Sequence, residues 1–341
     1  MDSRIRTAVA GVEAYVVGGA VRDELLGRQI VDVDVAIPDP EVAARIYAGL
    51  SKGAVFPLSE KHGAWRVAFK DGTTVDFTPL DGPIEDDLRT RDFTINAIAQ
   101  PVAGGEHLDP LGGRKDLEAR TLRAVSNSVF EDDSLRLLRA VRLEDELGFV
   151  LDGPTEELVR RHAGLVADPA GERIVGELER LSPSGFARAD ELGLLAPLGG
   201  SLERLGSVDM ADTPGYLLVV VFGESLRRYP VSNEVKRLAR TLLRAERPED
   251  DSPRAIHRFR RATEPWALTA LAFLGADDLY PAVQAARVAE PKEPLLRGDE
   301  LGLEPGPEIG RLLDLVAEER AAGTISTREE ALQLVERERA S

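Results

Sequence analysis

The sequence predicts an α+β fold, a small mixed sheet with helices in the first third and an all-α remainder. Three observations carry that prediction. Residues 30–37, IVDVDVAI, alternate with period two, as a strand does. Asp71-Gly72 lies between two strand-like runs and is a strong hairpin signal. Beyond about Thr121 the chain turns rich in Leu, Ala, Arg and Glu at helical spacing.

The elements follow in order. Residues 14–17 form an apolar run that ends at Gly18-Gly19, a strand entering a turn. Residues 21–26 open a helix, 30–37 form a strand, and 41–50 form an amphipathic helix. Residues 65–69 and 73–77 are the two arms of the hairpin. Further on, Leu135, Leu138 and Leu147 mark one helix, and Ile174, Leu178 and Leu181 another. In residues 234–245, Val235, Leu238, Ala239, Leu242 and Leu243 share one face. Lys236, Arg237, Arg240 and Arg244 occupy the other. Thr327 with Glu330 predicts a capping box before a last helix. No solenoid-type repeat is present.

The bulk numbers bound the function. At 341 residues and 43% hydrophobic content, the chain has material for more than one core. It contains no cysteine, which excludes disulfides, zinc–thiolate sites and thiol catalysis. No run approaches a membrane-spanning length, and the first residues do not read as a signal peptide, so a cytoplasmic protein is expected. The net charge of −17 opposes general nucleic-acid binding. Residues 225–262 depart from that average, with eleven Lys/Arg against five Asp/Glu, enough for a local grip on a phosphate backbone.

The candidate chemistry begins in residues 15–36, YVVGGAVRDELLGRQIVDVDVA. In a strand, Asp32 and Asp34 point to one side, about 7 Å apart along the backbone. Two such anions call for a hard divalent cation, Mg²⁺ above all. Asp76 alternates on a separate strand, and if the strands are neighbours the three carboxylates converge. Gly18-Gly19 open a helix whose backbone N–H groups suit a triphosphate, with Arg22 in reach. Taken singly, each feature also has a plain structural reading: a turn, a surface ion pair, a solvated strand face.

The order Gly-Gly-x-Val-Arg-Asp, Gly27, Asp32-x-Asp34 resembles the signature of the tRNA nucleotidyltransferase/poly(A) polymerase family, in particular its bacterial and eukaryotic class (class II). The resemblance implies a polymerase-beta-type nucleotidyltransferase head at 1–124, a helical neck at 125–190 that recognises the base, and a helical body and tail at 191–341 that bind tRNA. It implies that Asp32, Asp34 and Asp76 are catalytic and hold Mg²⁺. It also implies nucleotide contacts from Gly18, Gly19 and Arg22. Residues 85–99, EDDLRTRDFTINAIA, resemble the family's ribose-recognising motif, with Arg91, Asp92 and Asn96 in place and Thr90 where an arginine is usual. Residues 130–149 resemble the neck motif. There Asp133 and Arg136, taken as i and i+3 on one helix face, would read the edge of the base. Arg139 and Arg142 belong to the same nucleotide-binding stretch, and Asp132 stands where the family has a glutamate.

Other parts of the resemblance are structural. Residues 108–125, with Asp109-Pro110 and Gly112-Gly113, resemble the head–neck linker. Arg173 and Glu177 resemble a motif that braces the neck. In the tail, Arg237, Arg240 and Arg244 are the candidates for phosphate contacts with the tRNA acceptor arm. The four histidines, His62, His107, His162 and His257, are scattered and form no phosphohydrolase pattern.

One departure bears on specificity. Only nine residues, FTPLDGPIE, separate Asp76 from Asp86, where CCA-adding members carry a long flexible loop. The resemblance therefore implies addition of C and A to tRNA 3′ ends from CTP and ATP, or of CC alone. A poly(A) polymerase is the second enzymatic reading. A catalytically inactive tRNA- or nucleotide-binding protein is the reading from another class.

Overall fold

The computed structural model describes residues 2–59, 63–205, 213–291 and 293–340. His62 lies outside them. The chain forms two compact units, Met1–Leu198 and Gly199–Ser341.

The first unit is built on a six-stranded sheet of β1 (Tyr15–Val17), β2 (Asp32–Ile37), β3 (Ala54–Ser59), β4 (Ala64–Ala68), β5 (Thr74–Pro79) and β6 (Ala99–Pro101), in spatial order β3-β4-β5-β2-β1-β6. Only β2 and β5 run parallel; the other pairings are antiparallel, so the sheet is mixed as expected. The hairpin joining β4 to β5 turns at Asp71-Gly72, with Phe69 N–H donating to the Thr73 carbonyl at 3.0 Å. Two strands escape the sequence pattern. Residues 54–59 contain Pro57, which argues against a strand; the sheet accepts it because β3 is an edge. At three residues β6 is too short to show alternation.

Alternation divides the sheet into two faces. On one, helix Pro40–Ser51 lays Tyr47 across Phe77 and Phe69, with ring centroids 5.8 and 6.2 Å apart. The other carries Asp34 and Asp76. Its far part is apolar: Tyr15, Val17, Ala36 and Ala99 pack against Ile84 and Leu88 of helix Ile84–Arg89. That packing brings residues 90–97 beside the two aspartates.

The 108–125 segment fixes those residues in turn. Asp109 accepts from the backbone N–H groups of Gly113 and Arg114 at 2.7 and 3.0 Å. Buried Asp116 accepts from Thr94 Oγ1 at 2.6 Å and pairs with Arg123. Gly113 lies against the Thr94 backbone with no room for a side chain. The helix Arg136–Leu147 then buries Leu137, Leu138, Ala140 and Val141, and ends at Gly148 in the left-handed region.

The second unit is helical. Helix Asn233–Arg244 buries Val235, Leu238 and Leu242 and leaves Lys236, Arg237, Arg240 and Arg244 exposed, as the pattern predicts. The capping box forms: Thr327 N–H donates to Glu330, and Glu330 N–H to Thr327 Oγ1, at 3.0 and 3.3 Å. It precedes helix Arg328–Ala340, which buries Ala331 and Val335 with Leu312 and Val316. Among the described residues, no helix is long and apolar enough to cross a membrane.

The close approach at Gly113 gives a first prediction. A methyl group there overlaps the Thr94 carbonyl and must move the segment that carries Asp92 and Asn96. Gly113→Ala is expected to cost about 1–3 kcal/mol in denaturant unfolding. Gly112→Ala meets open space but sits at φ +75°, so it is expected to cost less.

Candidate active site

The site starts from the β2–β5 register. Asp34 lies directly beside Asp76 across the parallel pair, and Asp32 beside Thr74. Asp32 and Asp34 share a strand face, so all three carboxylates stand on one side of the sheet. Their side chains do not close on one point, which corrects the expected convergence. Asp76 is held by Arg66, with Nε and Nη2 each 2.7 Å from a carboxylate oxygen. Asp32 accepts from Thr74 Oγ1 at 2.7 Å. Among the described residues, no group of three or more His, Asp or Glu side chains is arranged to hold a metal ion.

Arg66 is the residue that motif reading missed. The signal was present in the hairpin. A turn centred on Asp71 pairs residue 66 with residue 76, and the structure has that register.

Asp34 differs electrostatically from its neighbours. Burial raises its carboxyl above the ordinary value; Arg91 and Arg139 oppose the rise, while Asp76 and Asp32 add to it. It is a carboxylate that lacks full compensation. Gly18, at φ +74°, stands over it: a Cβ there would lie 3.0 Å from Arg91 Nη1 and 3.4 Å from Asp34 Oδ2. The glycine leaves a small cradle edged by one cation and one anion. The donors are all carboxylate oxygens, which suits a hard divalent ion.

A polar chain borders this cradle. Arg22 forks onto Asp23 at 3.0 and 2.9 Å, and its Nη1 donates to Asn96 Oδ1 at 2.8 Å. Asn96 Nδ2 donates to Asp92 Oδ1 at 3.0 Å, which also accepts from Phe93 N–H at 2.7 Å. Asp92 Oδ2 is 3.0 Å from Arg139 Nη2. Asp92 Oδ2 and Arg139 Nε are buried polar atoms without a hydrogen-bond partner among the described residues. Burial pushes the Asp92 carboxyl up, but Arg139, the Asn96 amide and the Phe93 N–H outweigh it and hold it below its ordinary value. Arg91 is fixed by Asp87 through Nε and Nη2 at 3.1 and 2.9 Å.

The neck residues are arranged differently from the expectation. Asp133 is extended, at φ −153°, ahead of a helix that begins at Arg136, so the two do not share a helix face. The break lets Asp133 accept from Leu135 N–H and take a fork from Arg173 at 3.3 and 2.8 Å. Arg136 donates to the carbonyls of Thr90 and Val129 at 2.7 and 3.3 Å. Asp132 meets Ser128 rather than Arg136. Arg142 is 6% exposed and is held by Glu146 and Glu177, so its charge is met within the protein. Gly18, Arg91 and Arg139 thus lie around Asp34, and Arg22, Asn96 and Asp92 are linked to Arg139 by hydrogen bonds and an ion pair.

Arg237, Arg240 and Arg244 lie in the second unit. With Trp266 they line a cavity of about 710 Å³. Among the described residues, none of the three pairs with a carboxylate, whereas Arg254, Arg258, Arg260 and Arg261 of the same unit all do.

Comparison with known proteins gives the family. The Poly A polymerase head domain family matches residues 14–82 and 67–123. The A-adding tRNA nucleotidyltransferase of Deinococcus radiodurans is 33% identical, with 95% of each chain covered. The chain belongs to the tRNA nucleotidyltransferase family. It is therefore a nucleotidyltransferase, and its family is generally dependent on divalent metal. The CC-adding tRNA nucleotidyltransferase of Thermus thermophilus is also 33% identical, over 94% of this chain and 92% of that one. The Bacillus stearothermophilus CCA-adding enzyme, solved in complex with CTP, superposes with a TM-score of 0.75 at 28% identity, covering 100% and 99% of the two chains. These relatives carry three different specificities, so nucleotide choice rests on features that vary within the family.

The opposite electrostatics of the two aspartates give the second prediction. A depressed carboxyl contributes stability that is present above the ordinary value of about 3.9 and is lost as pH falls through the lower folded value. Asp92→Asn is therefore expected to cost about 3 kcal/mol at pH 7, with the deficit shrinking toward pH 3. Asp34→Asn relieves repulsion and is expected to raise Tm by about 2–4 °C in EDTA. Urea unfolding at several pH values and a thermal melt check the two signs.

Proposed function

We propose that this chain is a template-independent RNA nucleotidyltransferase that adds C from CTP and A from ATP to the 3′ end of tRNA, releasing pyrophosphate. The observation that carries the reading is the Asp34–Asp76 register on a face that also bears Asp32. The tRNA hydroxyl attacks the α-phosphorus, and the chain's task is positioning and charge stabilisation. Asp32, Asp34 and Asp76 would hold Mg²⁺, which would supply Lewis-acid activation of a hydroxyl and charge stabilisation for pyrophosphate. Arg66 must yield part of its hold on Asp76 for that carboxylate to serve as a ligand. Gly18 and Gly19 keep the triphosphate side open, and Arg91 offers Nη1 toward it. Asn96 and Asp92 supply a donor and acceptors for ribose hydroxyls.

Arg139 Nε and Asp92 Oδ2, buried and without a hydrogen-bond partner, are where the incoming nucleotide would complete a hydrogen-bond set. Asp133 and Arg136 lie near the start of the same helix and read the base in this proposal after leaving Arg173 and the Thr90 carbonyl. Arg142 contributes by holding that helix against Glu177. In the second unit, Arg237, Arg240 and Arg244 take phosphates of the acceptor arm. The reaction belongs in the cytoplasm, a setting that suits a cysteine-free chain.

A narrower specificity has support from two sides. The connection between β5 and helix Ile84–Arg89 is only a few residues long, which favours CC addition alone. The Deinococcus radiodurans relative favours the complementary A-adding activity. Transcripts ending at the discriminator base, at C and at CC, each with Mg²⁺ and CTP, ATP or both, separate these outcomes. Extension of at least one transcript is expected, lost in Asp32→Ala and Asp34→Ala while tRNA binding persists. Long A-tails on any RNA favour poly(A) synthesis, and a wild-type protein that binds but never extends refutes the enzymatic reading.

The basic helix gives a separate prediction. Replacing Arg237, Arg240 and Arg244 with Ala is expected to weaken tRNA binding and to lower the slope of log K against log salt by about one per lost contact. An unchanged slope in filter binding contradicts phosphate contacts there.

A further inference from the structure

The registers of four strands place one row of residues across the catalytic face. Asp34 stands beside Asp76, Asp76 opposite Arg66, and Arg66 opposite Phe56. Cross-strand partners share a face, so Phe56 points to the same side as the aspartates. Two strand spacings, about 10 Å, separate it from Asp76. Phe56 is 42% exposed on the edge strand, and Leu58 beyond it is 44% exposed. Exposed aromatics on an edge strand need a reason, because they invite aggregation.

Arg66 links the ring to the chemistry. Its Nε and Nη2 are committed to Asp76, while Nη1 makes no hydrogen bond or ion pair among the described residues. The row thus runs from carboxylates, through a guanidinium with one uncommitted edge, to an open aromatic face. The opposite side of Asp34 is taken by Gly18, Arg91 and the Asp92–Asn96–Arg139 chain, the side assigned above to the incoming nucleotide. Two substrates must meet at the carboxylates, and among the described residues the Arg66–Phe56 side offers an unassigned surface in line.

We propose that Phe56 and Arg66 form the subsite for the 3′-terminal nucleotide of the RNA primer. Phe56 stacks the terminal base, and Arg66 Nη1 donates to the ribose–phosphate of that nucleotide, leaving its 3′-hydroxyl at Asp76. Stacking on a ring tolerates any base, which suits a primer end whose identity changes with each addition. The proposal rests on the transferase reading and names the primer side of the same site.

The test uses the full-length protein. Phe56→Ala is expected to raise KM for tRNA about tenfold or to lower kcat/KM for tRNA to match, with KM for the nucleotide unchanged; Phe56→Tyr restores the wild-type value. Phe56→Trp adds a reporter: its fluorescence is expected to fall when tRNA with an intact 3′ end is added, and to stay level with tRNA trimmed by several 3′ nucleotides or with nucleotide alone. A thermal melt verifies folding of each variant. Unchanged tRNA kinetics in Phe56→Ala, or equal quenching by intact and trimmed tRNA, overturns the subsite. Absence of extension by the wild-type protein counts instead against the transferase reading, and the fluorescence comparison still decides the subsite.

Discussion

The contact on which the structure turns is the lateral pairing of Asp34 and Asp76 across the parallel strands β2 and β5. Two carboxylates at adjacent positions of a sheet repel, and burial makes that costlier. The fold answers with cations from three directions: Arg66 on Asp76, and Arg91 and Arg139 near Asp34. Even so, Asp34 remains raised above its ordinary value. A protein selected for stability alone would replace one of these aspartates. Its persistence beside a side-chain-free cradle is what a site for additional positive charge looks like, a local loss of stability retained for function.

Around that pair, positions are fixed by a relay of buried polar contacts. Asp116 holds Thr94, Asn96 and Phe93 N–H hold Asp92, and Arg139 joins Asp92 to the helix Arg136–Leu147. The linker motif therefore governs the site without entering it. Gly113 belongs to this support, since its bare Cα lets the linker helix reach the Thr94 backbone. The second unit separates roles differently: Arg254, Arg260 and Arg261 are paired with carboxylates, and among the described residues Arg237, Arg240 and Arg244 of helix Asn233–Arg244 are not. An acidic chain has thus kept a small basic surface by leaving selected cations unpaired, a local field that net charge does not report.

Much of this is legible in the amino-acid sequence. The strand 30–37, the Asp71-Gly72 turn, the apolar stripe of residues 234–245 and the Thr327–Glu330 cap follow from local periodicity and turn chemistry, and each formed, the strand over Asp32–Ile37. What local pattern could not supply was partnership. Asp133 and Arg136 have helical spacing, yet Asp133 is extended and takes its fork from Arg173, forty residues away. Arg142 looks like its neighbour Arg139 in sequence but faces Glu146 and Glu177 instead of the cradle. Strand adjacency implies convergence of the three carboxylates; the adjacency is real, and Arg66 engages both oxygens of Asp76. That arginine was within reach, because hairpin register pairs it with Asp76, but no motif drew attention to it. β3 was hidden by Pro57, which only knowledge of its edge position makes acceptable.

The central claim is that Asp32, Asp34 and Asp76 together bind the divalent ions of the transferase. The most direct measurement is a Mn²⁺ titration followed by electron paramagnetic resonance, with a non-hydrolysable triphosphate, on the wild-type chain and on Asp76→Asn. The account predicts protein-bound Mn²⁺ in the wild type and a weaker or lost fraction in the variant, with Arg66→Gln binding more tightly than wild type. Equal binding in all three proteins, or none in the wild type, contradicts it.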